Sequence, residues 1–256
     1  MTIIVGVKCS DGVVIGSDSI ATSTAGMTPI MRLESNDKIK IFGGKVIVAT
    51  TGSVGYTQRL HFHVEQAVRA NVFTHLARNE RAPNISKRFL TDLQYSIAPS
   101  HPQNGIGFGA LLATNFDDDP CLVEYATDTF QPEFKQNKLF FVSMGSGQGL
   151  ADPFLAFVGR VLWKNTLPDI RLGRFGLYWT LNHTINRAPG LVGHPIRMAV
   201  LSKIDNQWSA YESADDQEAV EFIGAIEARI GAPFVDAPII DAAREPTPAP
   251  VPETGN

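Results

Sequence analysis

Apolar and polar residues alternate at the start of the chain as they do in β-strands. The apolar positions of the first alternation are Ile3, Val5, Val7 and Cys9. Asp11-Gly12 follows as a tight turn, and Val13 and Ile15 resume the alternation. Chain termini are usually poorly ordered unless a sheet or helix holds them. The pattern therefore predicts that the first residues belong to a sheet, with no leader segment before them.

A second hairpin and then two helices are predicted next. Residues 38–42 alternate strictly, Gly43-Gly44 provides the turn, and 45–50 return as a strand. Apolar residues then recur at helical spacing, at positions Leu60, Val64, Ala67, Val68 and Val72. Asn84 is the expected N-cap of another helix, which Pro99 ends.

The remaining pattern completes an α+β architecture. Further strands are predicted over about 108–114, 121–126, 138–143, 196–202 and 207–211. Further helices are predicted over about 150–161, 169–186 and 220–226. Blocks of strands separated by pairs of helices favour two packed sheets with helices outside, a four-layer αββα sandwich. Residues 1–235 are expected to form one domain, and the Pro- and Ala-rich residues 236–256 a disordered tail.

The composition of the chain argues against several classes of function but does not identify one. The 256 residues carry a net charge of −4, which argues against a nucleic-acid-binding protein. The chain has no apolar run of ~18 residues and no secretory signal, so neither a membrane span nor export is expected, and the cytoplasm is the default. Cys9 and Cys121 form no disulfide framework and no metal-ligand spacing. No metal and no cofactor are expected.

Several residues carry possible chemistry, each with an ordinary structural interpretation beside it. Thr2 becomes the first residue if Met1 is removed, and it then holds a hydroxyl and a free α-amine of pKa about 7.7–8.0. Asp18 at a strand end can simply assist a turn, and Lys38 can be a solvated edge charge. Ser146, within Gly-Ser-Gly, can be a helix N-cap. Each signal alone is weak.

Together, three stretches resemble the proteasome β-subunit family of N-terminal nucleophile hydrolases, including bacterial homologues of the HslV, BPH and Anbu kind. The stretches are "TIIVGVKCSDGVVIGSD", "KIKIFGGKVIVATTGSVGYTQRL" and "SMGSGQGLADPF". The resemblance extends from about Thr2 to Ile230. Lys38, rather than Lys40, matches the family lysine, because its fourteen-residue step to Gly52 reproduces the family interval.

The resemblance implies a threonine-type peptidase. It assigns catalytic roles to Thr2, Asp18, Lys38, Gly52 and Ser146, and it places Thr50, Thr51 and Val54 beside the substrate's P1 residue. These three side chains carry no fixed charge, which favours small or medium apolar P1 residues. The implied substrates are unfolded proteins or peptides. The implied assembly is a homo-oligomer of two stacked rings with twelve or fourteen subunits, and whether an ATP-dependent unfoldase serves it stays unknown.

The chain departs from the family pattern at two places. The family has an Asp and a Ser just before the strand that here begins near Ile196, whereas this chain has Pro189 and Val192 at the aligned positions. The first loop, residues 20–37, is also longer than in the family. Two alternatives therefore stay open: a non-catalytic ring or scaffold subunit, and an N-terminal nucleophile amidase that acts on small amides.

Overall fold

A computed structural model gives the fold of residues 2–25, 28–34, 38–96, 106–136, 138–213 and 217–235. The strands are β1 (Ile3–Lys8), β2 (Gly12–Ser17), β3 (Ile20–Ala25), β4 (Thr28–Glu34), β5 (Ile39–Phe42), β6 (Val46–Thr51), β7 (Gly109–Phe116), β8 (Asp119–Tyr125), β9 (Pro132–Phe134), β10 (Phe141–Gly145), β11 (Arg197–Ile204) and β12 (Gln207–Ser213). The helices are α1 (Val54–Arg69), α2 (Val72–His75), α3 (Arg78–Ser96), α4 (Gln148–Val161), α5 (Ile170–Arg187) and α6 (Gln217–Val235).

Two antiparallel five-stranded sheets form the centre of the fold. Their strand orders are β10-β1-β2-β11-β12 and β5-β6-β7-β8-β9, and β3 and β4 form a separate two-stranded sheet. Side chains such as Ile4 and Ile15 of the first sheet pack with Ile47 and Leu111 of the second. This apolar layer holds the two sheets face to face.

Helices cover the outer face of each sheet. Leu60 of α1 and Phe89 of α3 belong to the same apolar cluster as Val48 and Leu112 of the second sheet. On the first sheet, α5 packs so closely that a Cβ added to Gly16 would lie 2.4 Å from a methyl group of Leu177. The predicted four-layer αββα sandwich is therefore confirmed.

Two local predictions were wrong. The helix expected to begin at Asn84 begins at Arg78, and Pro83 lies inside it. Burial of Arg81 and Ile85 against the sheet layer outweighs the hydrogen bond that a proline cannot donate. The stretch treated as a loop after Asp18 contains β3 and β4. Pro99 lies outside the described residues.

Contacts divide the chain into two compact units. The first ends at Ala219 and contains both five-stranded sheets with α1 to α5. The second begins at Val220 and contains most of α6. The single domain over 1–235 stays a prediction, and the tail over 236–256 lies outside the described residues.

Candidate active site

Antiparallel pairing brings several of the predicted catalytic residues together at one end of the strands of the first sheet. Ile3 at the start of β1 pairs with Gly145 at the end of β10. Ile4 pairs with Ser17 at the end of β2. Residues that directly precede or follow these strand ends therefore lie close together, and they include Thr2, Asp18 and Ser146.

Asp18 is the centre of a buried hydrogen-bond network. Its side chain has no exposed surface. Oδ1 accepts hydrogen bonds from the Ile3 backbone N–H at 3.0 Å and from Lys38 Nζ at 2.6 Å. Oδ2 accepts from the backbone N–H groups of Ile20 and Gly193, both at 3.2 Å. Four donors compensate for the loss of water around this carboxylate.

Lys38 is held at two points, by Asp18 and by the backbone of Ile20. Its Nζ lies 2.6 Å from Asp18 Oδ1 and 2.6 Å from the Ile20 carbonyl oxygen, and the residue is 8% exposed. Because Asp18 Oδ1 also accepts the Ile3 N–H, the ammonium group lies next to the peptide that follows Thr2. Lys40, in contrast, is exposed.

Ser146 contacts both backbone groups of Thr2. The Thr2 nitrogen donates to Ser146 Oγ at 3.0 Å, and Ser146 Oγ donates to the Thr2 carbonyl oxygen at 3.3 Å. The Gly147 N–H donates to the same carbonyl at 3.3 Å. This nitrogen is an amide while Met1 is attached and becomes the α-amine when Met1 is removed.

Side-chain hydrogen bonds to the following helix, α4, stabilise the turn that carries Ser146. Ser143 Oγ on β10 donates a short hydrogen bond to Asp152 of α4, and Gln148 Nε2 at the start of α4 donates to the same carboxylate at 3.0 Å. Sequence reasoning missed Asp152. No motif marks it, because its role depends on how α4 packs against β10.

Two glycines shape the site through left-handed backbone conformations. Gly145 has φ +106°, and a Cβ there would lie 2.3 Å from the Thr2 carbonyl oxygen. Gly52 has φ +111°, and a Cβ there would lie 2.6 Å from the Gly107 carbonyl oxygen. Other residues rarely adopt such φ values, and the space is closed to any side chain.

The predicted substrate-side residues divide into two groups. Thr50 and Thr51 are buried, and Thr50 Oγ1 shares a hydrogen bond with a neighbouring threonine of α1 at 3.0 Å. Val54 is 64% exposed and lines a cavity of about 500 Å³ together with Lys40 and Glu212. The sequence argument missed both of these charges, because Glu212 reaches the cavity only through the pairing of β12 with β11.

The segment that precedes β11 contacts Asp18 through the backbone of Gly193. Gly193 donates its N–H to Asp18, and its carbonyl oxygen accepts the Ser19 N–H at 3.0 Å. Val192 is fully buried. Gly193 was not identified from the sequence, since a backbone contact leaves no side-chain signature.

Among the residues that the structure describes, no three His, Cys, Asp or Glu side chains are grouped so as to hold a metal ion. None of the helices in that part of the chain combines the length and apolar character needed to cross a bilayer.

A four-layer sandwich with a hydroxyl residue at the start of a central strand is the arrangement of the N-terminal nucleophile hydrolase fold. The family model described as Proteasome subunit matches residues 2–156, and the chain belongs to this family.

Solved structures of Anbu proteins share the fold. A helical assembly of the Anbu complex from Pseudomonas aeruginosa is 15% identical with a TM-score of 0.70, and the alignment covers 95% of this chain and 100% of that one. Anbu from Hyphomicrobium sp. strain MC1 is 13% identical with a TM-score of 0.69, covering 93% and 99%. Anbu (ancestral beta-subunit) from Yersinia bercovieri is 14% identical with a TM-score of 0.68, covering 92% and 98%. No curated protein matches the chain.

Proposed function

We propose that the chain is a threonine-type peptidase whose nucleophile is the hydroxyl of Thr2 after removal of Met1. The observation that carries this proposal is the buried Lys38–Asp18 pair, whose shared oxygen also accepts the N–H that follows Thr2. A buried ion pair costs desolvation free energy. An oxygen shared with the backbone N–H that follows Thr2 gives that cost a catalytic purpose in the proposed mechanism.

Lys38 acts electrostatically in the proposed mechanism. Its positive charge favours the unprotonated form of the Thr2 α-amine and the ionised form of the Thr2 hydroxyl, so it lowers the pKa of both groups. Asp18 fixes the direction of the ammonium group through the 2.6 Å contact. Ser146 Oγ, 3.0 Å from the Thr2 nitrogen, orients the amine or a bridging water.

The reaction proceeds through an acyl-enzyme ester. Thr2 Oγ attacks the substrate's peptide carbonyl while the α-amine, through a water, accepts the hydroxyl proton. The backbone N–H of Gly52 donates to the developing oxyanion, a type of contact whose loss costs about 10²–10³ in rate. The C–N bond then breaks, the proton passes to the leaving amine, and water hydrolyses the ester to restore Thr2.

The proposed substrates are unfolded proteins or peptides, and the proposed assembly is a cytoplasmic homo-oligomer. The family resemblance favours two stacked rings, whereas one similar structure is a helical assembly of the Anbu complex. Electron microscopy of the purified protein distinguishes closed double rings from open helical turns.

The purified protein is expected to lack Met1 and to react at Thr2 with a peptide epoxyketone. That adduct requires both the hydroxyl and the free α-amine of an N-terminal threonine. Intact-mass spectrometry before and after treatment measures both events, and Thr2→Ala serves as the unreactive control. A population that retains Met1 throughout would remove the proposed base and contradict the mechanism.

A non-catalytic subunit is the second candidate. Pro189 and Val192, which stand where the family has Asp and Ser, favour it. Protein that lacks Met1, assembles normally and forms no adduct would support it. Adduct formation without hydrolysis of any peptide would instead favour an amidase acting on small amides.

Uncharged P1 residues are expected to be preferred. The cavity beside Val54 holds one cation, Lys40, and one carboxylate, Glu212, so neither an acidic nor a basic P1 side chain meets a net opposite charge. Fluorogenic peptides that differ only at P1 measure the preference. In Glu212→Gln, Lys40 is unopposed and acidic P1 residues should gain about tenfold in kcat/KM. An unchanged profile in Glu212→Gln would show that this cavity does not receive the P1 side chain.

A further inference from the structure

A cavity of about 920 Å³ lies at the opposite end of β1 from Thr2. Lys8, the last residue of β1, lines it together with Arg78, Lys135 and Lys138. At the rise of an extended strand, Lys8 is about 20 Å from Thr2. This Lys8 cavity is therefore separate from the candidate active site.

Two of its lysines are deeply buried, which is costly unless the charge is compensated. Lys135 is 7% exposed, and its Nζ lies 2.5 Å from Glu124 and 2.7 Å from Glu133. Burial by itself lowers the pKa of Lys135. The two glutamates raise this pKa by more than burial lowers it, so the net shift of the pKa is upward. The charge of Lys135 is thus fully compensated within the protein.

Lys8 is compensated much less well. It is 9% exposed, and its Nζ lies 3.4 and 3.5 Å from the two carboxylate oxygens of Asp119. Arg78 already holds one of these oxygens in a short contact. In the described part of the chain, Asp119 is the one acidic partner of Lys8. Because Lys8 and Arg78 share this single carboxylate, the three groups together carry a net positive charge.

The cavity wall carries one further carboxylate, Glu133, which pairs with Lys135 at 2.7 Å. Burial raises the pKa of the Cys121 thiol to about 12, which keeps it neutral at physiological pH. Phe134 and Leu139 add an apolar wall, and Leu139 is 61% exposed. Lys138 adds another cation at the surface.

We propose that the Lys8 cavity binds a small organic anion. Oxygens of its phosphate or carboxylate groups accept hydrogen bonds from Lys8 and Arg78, and its apolar part lies against Phe134 and Leu139. Charge-assisted hydrogen bonds of this kind are stronger than neutral ones. Such a ligand would complete the compensation that Asp119 alone does not give.

Isothermal titration of the assembled protein with pyrophosphate and, separately, with tricarballylate tests the proposal. At least one probe should bind with a Kd of about 1 mM or tighter. Lys8→Met keeps the apolar stem and removes the charge, and it should weaken binding about tenfold or more. Lys8→Arg should retain binding. Binding of pyrophosphate alone identifies a phosphate ligand, and binding of tricarballylate alone identifies a carboxylate ligand.

Lys203→Met is the matched control, because Lys203 pairs with Asp118 and does not line the Lys8 cavity. Its affinity for the probes should equal that of the wild type. The proposal fails if neither probe binds with a Kd of about 1 mM or tighter, or if folded Lys8→Met binds as tightly as the wild type. Because the readout is binding, the result is independent of whether the chain hydrolyses peptides.

Discussion

Lys38→Ala is expected to reduce peptide hydrolysis by about 10³-fold or more while Thr2 stays in place. The variant removes the positive charge that shares Asp18 Oδ1 with the backbone N–H following Thr2, so in the proposed mechanism the Thr2 amine and hydroxyl lose the electrostatic stabilisation of their reactive forms. Steady-state kinetics with a fluorogenic peptide measures the loss. Lys45→Ala, at the exposed turn between β5 and β6, is the matched control and should keep wild-type activity.

The loss of activity in Lys38→Ala must be distinguished from a loss of activity that unfolding causes. Removing one partner of a buried ion pair costs about 3–5 kcal/mol of unfolding free energy, because the other charge stays buried without it. Asp18→Asn combined with Lys38→Met removes both charges and keeps a carbonyl oxygen to accept the Ile3 N–H. This double variant should regain the free energy of unfolding measured in urea and the assembly size of the wild type. It should not regain peptide hydrolysis. Activity within tenfold of wild type in folded Lys38→Ala would show that Lys38 does not activate Thr2.

The hairpins and the layer order could be predicted because they depend on local signals. Alternation and the turn residues Asp11-Gly12 and Gly43-Gly44 are encoded within a few positions. The burial of β1 could be predicted only in part. Ile3 and Val5 were recognised as one apolar face, but every residue of β1 is buried, since helices cover one face and the second sheet covers the other.

The candidate site shows the same division between local and tertiary information. The resemblance to the family interval selects Lys38 rather than Lys40, and Lys38 is the one that contacts Asp18. Gly193 and Glu212 could not be found in this way. Both are far from Thr2 in the chain, and only the positions of β11 and β12 bring them to the site. The catalytic roles themselves stay predictions until the variants are measured.

Gly145→Ala is expected to lower kcat by about 100-fold without unfolding the protein. The backbone at φ +106° disfavours any residue with a Cβ, at a cost of about 1–3 kcal/mol. The added Cβ would also lie 2.3 Å from the carbonyl oxygen of Thr2, so Thr2 must shift. A displacement of about 1 Å at a reacting group is enough for a 100-fold loss.

Gly149→Ala is the control for this prediction. Gly149 lies in the first turn of α4, and a Cβ there would meet nothing within 4 Å, so alanine should fit without strain and leave kcat unchanged. Kinetics and the rate of epoxyketone adduct formation are measured on both variants after thermal melts establish that they are folded. If Gly145→Ala reacts as fast as Gly149→Ala, the carbonyl of Thr2 can move without cost to the chemistry. The hydrogen bonds that Ser146 and Gly147 donate to the Thr2 carbonyl oxygen would then stabilise the fold rather than position the nucleophile.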